Sequence, residues 1–287
     1  MTHLGFYRKG WGVTNEDVTL APPPIASREG TMHVVVIHGW KAETAELAQA
    51  LSGALGITVF EARQRMTGKG PAVVAGFADP EQALALAKRL NQIGIATLIV
   101  EAAEDRGPAR HFIVRRFELG ESLLRIETSD QQQAEIPYGE IDLLLPATSI
   151  AEYSEKKTIT GRKFSLGKTI MAGGIPMSKK VERQEEVTTE ERSKVLYLYA
   201  GNRLPVVFSQ NHMIYDGLGA AMKLSREMNF TYLISELRRL CPKAVYDDRL
   251  RNRAGLVRLL GPALDPETNL DLAVEILAQC LRSRTAL

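Results

Sequence analysis

The pattern of hydrophobic and polar positions between residues 32 and 102 predicts one compact α/β unit. Short apolar, β-branched runs at 33–38, 71–77 and 95–100 are typical of buried strands. Between these runs, apolar residues recur at spacings of three and four, as they do on one face of a helix. The predicted order is β-α-α-β-α-β, with right-handed connections between the strands. The two clearest helical stripes consist of Ala45, Leu47, Ala48, Leu51 and Leu55, and of Ala83, Leu86, Ala87, Leu90 and Ile93.

The last helix of this unit carries the strongest local signals. Asp79 supplies a capping carboxylate, and Pro80 fits the first helical position, where a missing N–H costs nothing. Gly94 ends the pattern, since glycine accepts the left-handed backbone that terminates helices. Leu86 and Leu90 lie on the apolar stripe, and we therefore expect both side chains to be buried in the core.

The same residues resemble a known family. The segments 56–63 and 79–94, together with the strand that opens at Pro71, are similar in order and spacing to the C-terminal domain of the bacterial ribosomal stalk protein. The resemblance covers residues 32–102, and it implies a fold and a habit of docking onto other proteins. The family carries lysines on its first helices where this chain has uncharged residues, namely Thr44, Gln49 and Ser52.

The pattern changes beyond a short polar hinge at 104–108. Shorter alternating segments predict a mostly antiparallel sheet, followed by a long helix. The stretch 117–145, which contains an IPYxxI segment at 136–141, resembles the opening strands of bacterial pleckstrin-homology-like domains, and this implies a similar fold for residues 110–242. We expect strands at 111–119, 123–127, 134–145 (broken at Pro137), 195–199 and 204–209, and a helix at 218–240 with a break near Asn229.

These patterns together predict an α+β protein with four parts. Residues 1–31 form an extended or disordered leader, and residues 32–104 form the stalk-domain-like unit. Residues 109–244 form the antiparallel sheet domain, interrupted by a basic insert loop at 149–194. Residues 245–287 form a helical tail, whose short amphipathic helices need to pack on the preceding domain to be stable.

Composition places the chain among ordinary globular proteins. It has 287 residues, 45% of them hydrophobic and 24% charged, with a net charge of +2. This small net charge argues against nucleic-acid binding over the whole surface, but it is compatible with a local basic patch. The two cysteines, Cys241 and Cys280, lie in apolar helical contexts and are expected to be reduced. No membrane-spanning run and no signal peptide are found in the sequence, so a cytoplasmic location is expected.

The one unusual charge feature is a basic segment at 152–183. It contains eight Lys or Arg residues and three Glu residues, and four glutamates follow directly. One interpretation is an anion-contacting loop for nucleic acid, lipid or an acidic partner. The other, which the composition favours, is a solvated surface loop with little aromatic interleaving. The candidate anion-binding residues are Lys156, Lys157, Arg162, Lys163, Lys168, Lys179 and Lys180.

Other motifs do not complete a catalytic signature. The glycines at the ends of 161–167 have five residues between them, whereas a phosphate-binding loop requires four. His38 ends a strand, but the chain lacks the G-x-S-x-G turn of the α/β-hydrolases. His212 near Tyr215 and Asp216 resembles an acid–base pair without an identifiable nucleophile. We therefore predict no catalytic residue, no metal ligand and no cofactor.

The sequence favours a non-enzymatic binding or adaptor protein of the bacterial cytoplasm, acting through its domain surfaces on a protein partner. Two alternatives stay open. One is an enzyme whose site assembles between the two domains, which a cavity with convergent polar groups would indicate. The other is nucleic-acid binding through the segment 152–183, which a continuous basic surface would indicate. The oligomeric state is left undecided.

Overall fold

The computed structural model describes residues 31–40, 42–68, 70–103, 111–164 and 178–285. It contains six α-helices and eleven strands within these ranges, which confirms the α+β class. The predicted leader lies outside the described residues except for Thr31, which begins the first strand.

The first unit has the predicted order β-α-α-β-α-β, and its helices begin at local caps. The Thr44 side chain accepts a hydrogen bond from the Leu47 N–H, and Thr58 and Glu61 form a reciprocal capping box. The Asp79 carboxylate accepts from the Glu81 N–H at 2.9 Å. The elements are β1 (Thr31–His38), α1 (Ala45–Leu55), α2 (Val59–Met66), β2 (Ala72–Phe77), α3 (Pro80–Gln92) and β3 (Ala96–Ala103).

The three strands of this unit form a sheet in the order β2-β1-β3, and β1 pairs antiparallel with both neighbours. The handedness rule concerns parallel strands, so it applies only to β2 and β3, which flank β1 and are joined by α3. Right-handed connections were predicted for both crossings. The first crossing joins β1 to β2, which are antiparallel, so the prediction was wrong there. Side chains alternate along β1, and Val35 and Ile37 pack against the helices, where Leu86 and Leu90 are buried as predicted.

Two further sheets follow. A meander of β5 (Arg116–Leu119), β6 (Leu123–Glu127) and β7 (Gln133–Pro137) is antiparallel throughout. A five-stranded sheet has the order β11-β8-β9-β10-β4, and β4 pairs parallel with β10. Its strands are β4 (Phe112–Val114), β8 (Ile141–Phe164), β9 (Ser178–Ala200), β10 (Val206–Ser209) and β11 (Val245–Tyr246).

Two predicted elements of this part differ from the structure. The strand expected at 111–119 is divided at Arg115, so that its halves join different sheets. The helix expected at 218–240 begins only after Ser225, as α4 (Arg226–Leu240), and it is not broken at Asn229. The Asn229 amide instead bonds to both the N–H and the C=O of Lys223, which ties the incoming chain to the first turns of the helix.

The C-terminal helices lie between the two halves of the molecule. They are α5 (Arg253–Leu260) and α6 (Leu270–Thr285), preceded by a 3₁₀ turn at Arg249–Arg251. One buried cluster joins Val34 of β1 and Leu143 of β8 to Leu259 and Leu277 of these helices. Because both sheets contribute to this cluster, the tail packs on both of them and not only on the domain that precedes it.

Polar contacts also hold α6 against the five-stranded sheet. The Tyr197 hydroxyl donates to the Asp271 carboxylate at 3.0 Å, and the Arg282 side chain donates to Asp142 at 3.0 Å. Burial raises the pKa of Tyr197 far above its ordinary value, and the nearby Asp271 charge acts in the same direction. Tyr197 therefore stays a neutral donor at physiological pH.

Candidate functional site

The basic segment lies on a long antiparallel pair of strands. β8 and β9 pair continuously from Leu143↔Tyr199 to Phe164↔Ser178. β10 and β11 pair only with the inner part of these strands. Within the described residues, 150–164 and 178–192 therefore form a two-stranded arm, here named the ribbon, without a third strand beside it. Fifteen residues of extended chain span roughly 50 Å.

The prediction of a loop over 149–194 was wrong for the residues that form the ribbon. Strands are usually recognised by an apolar residue at every second position, but a ribbon without a third strand has no sheet core to bury such residues. The chain has β-branched residues in several of its ribbon positions, which favour extended backbone. They include Thr158, Ile159, Thr160, Val181, Val187, Thr188 and Thr189.

Along the ribbon shaft, defined as residues 150–160 and 182–192, the register places two lysines opposite glutamates and one glutamate, Glu152, opposite another, Glu190. Lys156 is opposite Glu186, and Lys157 is opposite Glu185. Such cross-strand pairs stabilise an antiparallel ladder. The shaft contains four basic and seven acidic residues in total, so its net charge is negative.

The ribbon end, defined as residues 161–164 and 178–181, has the reverse character. Here Arg162 is opposite Lys180, and Lys163 is opposite Lys179. The end carries these four basic residues and no acidic residue. The two basic pairs occupy successive register positions of the ladder. The ribbon is therefore negative along its shaft and positive at its end.

The seven predicted anion-binding residues thus separate into groups. Four of them come together at the ribbon end, and the register gives Lys156 and Lys157 acidic partners on the shaft. Lys168 lies outside the described residues, as do residues 165–167 of the glycine-flanked segment 161–167. Composition identified these residues, but only the strand register shows which of them meet.

The histidine motifs form local contacts. His212 Nδ1 is 3.1 Å from the Ser209 Oγ, in a turn that follows β10. Sequence reasoning missed this serine, because a spacing of three is also typical of a simple turn. The Tyr215 hydroxyl donates to the Gln210 carbonyl instead, and burial raises the pKa of Tyr215 to about 12. An activated serine also requires a third group that orients the histidine, and no described residue bonds to His212 Nε2.

The space between the sheet of the first unit and the five-stranded sheet contains mainly apolar side chains of the buried cluster that both sheets share with the C-terminal helices. The Tyr197–Asp271 hydrogen bond lies there as well. A groove of about 530 Å³ lies instead on the first unit, between the α1–α2 turn, β2 and α3. Its lining includes Leu55, Ile57 and Phe77 together with Arg89.

Cys241 and Cys280 are both buried, and neither is part of a disulfide bond. Burial raises the pKa of the Cys241 thiol to about 11, which keeps it protonated and poorly nucleophilic at neutral pH. Among the described residues, no group of three or more His, Cys, Asp or Glu side chains is arranged to hold a metal ion.

Comparison with known protein families, with curated proteins and with solved structures found no match. No helix in the described part of the chain is both long enough and apolar enough to cross a membrane. The features that bear on function are therefore the charge arrangement of the ribbon and the surfaces beside it.

Proposed function

We propose that this protein is a non-enzymatic binding protein that contacts duplex DNA with the basic end of its ribbon. The observation that supports this proposal is the pairing of Arg162 with Lys180 and of Lys163 with Lys179. Like charges directly opposite one another destabilise a ladder. An anionic ligand would offset this repulsion, whereas the shaft already balances its lysines with glutamates.

Duplex DNA fits this arrangement better than other polyanions. The major groove of B-form DNA admits a two-stranded ribbon, whereas the corresponding groove of A-form RNA is too narrow for side chains to read. Basic residues on both strands of the ribbon end suit a groove with a phosphate backbone on each side. The acidic shaft repels phosphates, so the contact is confined to the end.

A protein partner is the second candidate. The groove on the first unit favours it, because apolar residues line the groove and Phe60 is 74% exposed on α2 nearby in the sequence. The resemblance of residues 32–102 to the ribosomal stalk domain also supports such a role. We further propose the bacterial cytoplasm as the location, which two buried cysteines outside any disulfide bond support.

Fluorescence anisotropy of a labelled duplex DNA tests the proposal. Four phosphate contacts predict a slope of log K against log salt of about −3.6, or roughly a hundredfold loss of affinity between about 50 and 200 mM salt. The double variant Arg162→Gln/Lys180→Gln should make this slope shallower by about 1.8. Lys156→Gln/Lys157→Gln removes the same charge from the shaft and serves as the matched control.

Three results would contradict the proposal. The first is an unchanged salt slope in the Arg162→Gln/Lys180→Gln variant. The second is an equal loss in the shaft control, since that would indicate a general effect of charge. The third is binding to anionic phospholipid vesicles without binding to DNA, which would assign the ribbon end to a membrane surface.

A further inference from the structure

The ribbon leaves the outer edge of β9 open. β10 covers this edge only as far as Ser209↔Val195, and the Gln210 N–H then donates to the Lys194 carbonyl. In the described part of the chain, no strand pairs with the rest of the edge, residues 178–192. A two-stranded ribbon is only marginally stable by itself in water, and an open strand edge is a template for pairing with another chain.

Four charged residues of β9 have no opposite charge directly across the ribbon. The two lysines lie opposite basic residues of β8, and the two glutamates lie opposite an alanine and another glutamate. The pairs are Lys179↔Lys163, Lys180↔Arg162, Glu190↔Glu152 and Glu191↔Ala151. A further strand along the outer edge of β9 can supply the opposite charges that β8 does not.

These four residues are placed symmetrically about Glu185, which is the midpoint of the open edge. The lysines precede it by six and five positions, and the glutamates follow it by five and six. When two identical strands pair antiparallel, a twofold axis brings one residue opposite its own copy and all others opposite different residues. An axis at Glu185 places Lys179 opposite Glu191 of the second copy, and Lys180 opposite Glu190.

We propose that the outer edge of β9 pairs with the same edge of a second copy of this chain. The twofold axis passes through Glu185, and the two ribbons together form a four-stranded antiparallel sheet. Each Lys–Glu pair occurs twice by symmetry, and such cross-strand pairs stabilise a ladder. One like-charge contact, Glu185 against its own copy, opposes the pairing, but Lys157 lies opposite Glu185 across each ribbon.

The edge of β8 fits a second copy less well. An axis at Lys157, the midpoint of residues 150–164, matches only Glu152 with Arg162, and it brings Lys157 opposite itself. Self-association therefore uses β9, and it does not depend on DNA binding. Arg162 and Lys163 on β8 stay available for an anion in the dimer.

Sedimentation velocity of the full chain, without nucleic acid, tests the pairing. We expect a species of twice the chain mass of 31.7 kDa. Because the Lys–Glu pairs attract by charge, raising the salt from about 50 to about 500 mM should weaken the dimer. Lys179→Glu/Lys180→Glu and Glu190→Lys/Glu191→Lys each place like charges across the interface, and each should weaken the dimer about tenfold or more.

Mixing the two β9 variants separates a lost interface from a lost fold. Each variant should be mostly monomeric alone, and an equimolar mixture should form a heterodimer, because every reversed charge then lies opposite its complement. Arg162→Glu/Lys163→Glu is the matched control, since it reverses the same charge at the same end of the ribbon, on β8. This control should dimerise as the unchanged protein does.

A cysteine at the axis tests the register. Opposite Cα atoms of an antiparallel pair lie about 4.5–5.5 Å apart, within the range that a disulfide bond spans. Glu185→Cys should therefore form a covalent dimer on air oxidation, whereas the native Cys241 and Cys280 are buried. Gln184→Cys should not, because its two copies lie two positions out of register.

Several results would overturn the pairing. They are a monomeric unchanged protein at tens of micromolar, a dimer that both β9 variants leave intact, and a mixture of these variants that does not associate. Equal losses in the β8 control, or equal cross-linking of Gln184→Cys and Glu185→Cys, would overturn it too. A dimer that does not bind DNA would refute only the proposed function, and a monomer that binds DNA would refute only the dimer.

Discussion

Substitution of Leu90 by alanine gives a direct test of the first unit. Leu90 is fully buried, and its side chain packs with Val35 and Ile37 of β1 beneath α3. The change removes about three carbon groups at roughly 0.8 kcal/mol each, or about 2.4 kcal/mol. A residual cavity of about 60 Å³ adds roughly 1.4 kcal/mol. We therefore expect the free energy of unfolding to fall by about 4 kcal/mol.

The assay is urea denaturation followed by the fluorescence of Trp40. This residue is buried in the same core, and its indole N–H donates to the Met66 carbonyl at 3.1 Å. The chain has two tryptophans, so the measurement is made in a Trp11→Phe background. Leu84 lies on the same helix and is 47% exposed, which makes Leu84→Ala a matched control with an expected cost below about 1 kcal/mol.

A change of less than about 0.5 kcal/mol for Leu90→Ala would refute the packing of α3 described above. Equal losses for the two leucines would also refute it. In that case the helix would be rotated about its axis, and its buried stripe would be a different one.

Two further predictions concern the second half of the chain. Asn229→Ala should lower the free energy of unfolding by about 1–3 kcal/mol, because it leaves the Lys223 backbone groups without their partners, whereas the exposed Thr231→Ala should cost less; chemical denaturation measures both. Cys241 should resist a thiol-specific reagent at about pH 8 until the protein is unfolded. Folding raises the pKa of the Cys241 thiol from 9.0 to about 11. Titration of this thiol therefore leaves the free energy of unfolding unchanged below about pH 9 and lowers it as the pH rises toward 11. Rapid labelling of native protein, or stability that increases over this pH window, would contradict the burial of Cys241.

The sequence predicted best those elements whose signals are contained within one segment. The α3 helix has its cap, its apolar stripe and its terminating glycine within about one helix length, so Leu86 and Leu90 could be assigned to the core. The division at Arg115 could not be predicted, because it depends on which distant strands pair with each half. β4 pairs with β10, which lies far along the chain.

The candidate site was predicted in composition but not in arrangement. The basic residues of 152–183 are visible in the sequence, yet their grouping depends on the register between β8 and β9. The surface cleft at the base of the ribbon, which Arg192 and Arg251 line, was not predicted, because these two residues are distant in the chain and neither belongs to a recognisable motif. Long-range pairing of this kind leaves no local pattern for sequence reasoning to detect.

The position of the C-terminal helices has a consequence for synthesis on the ribosome. Val34 and Leu277 share one buried cluster although they lie near opposite ends of the chain. At translation rates of about 5–20 residues per second, the last helix is synthesised on the order of ten to fifty seconds after the strand that contains Val34. During that interval the apolar surface of that strand is uncovered. The nascent chain is therefore prone to aggregation during this interval, and a stop codon before α5 would produce a protein that keeps the same exposed surface.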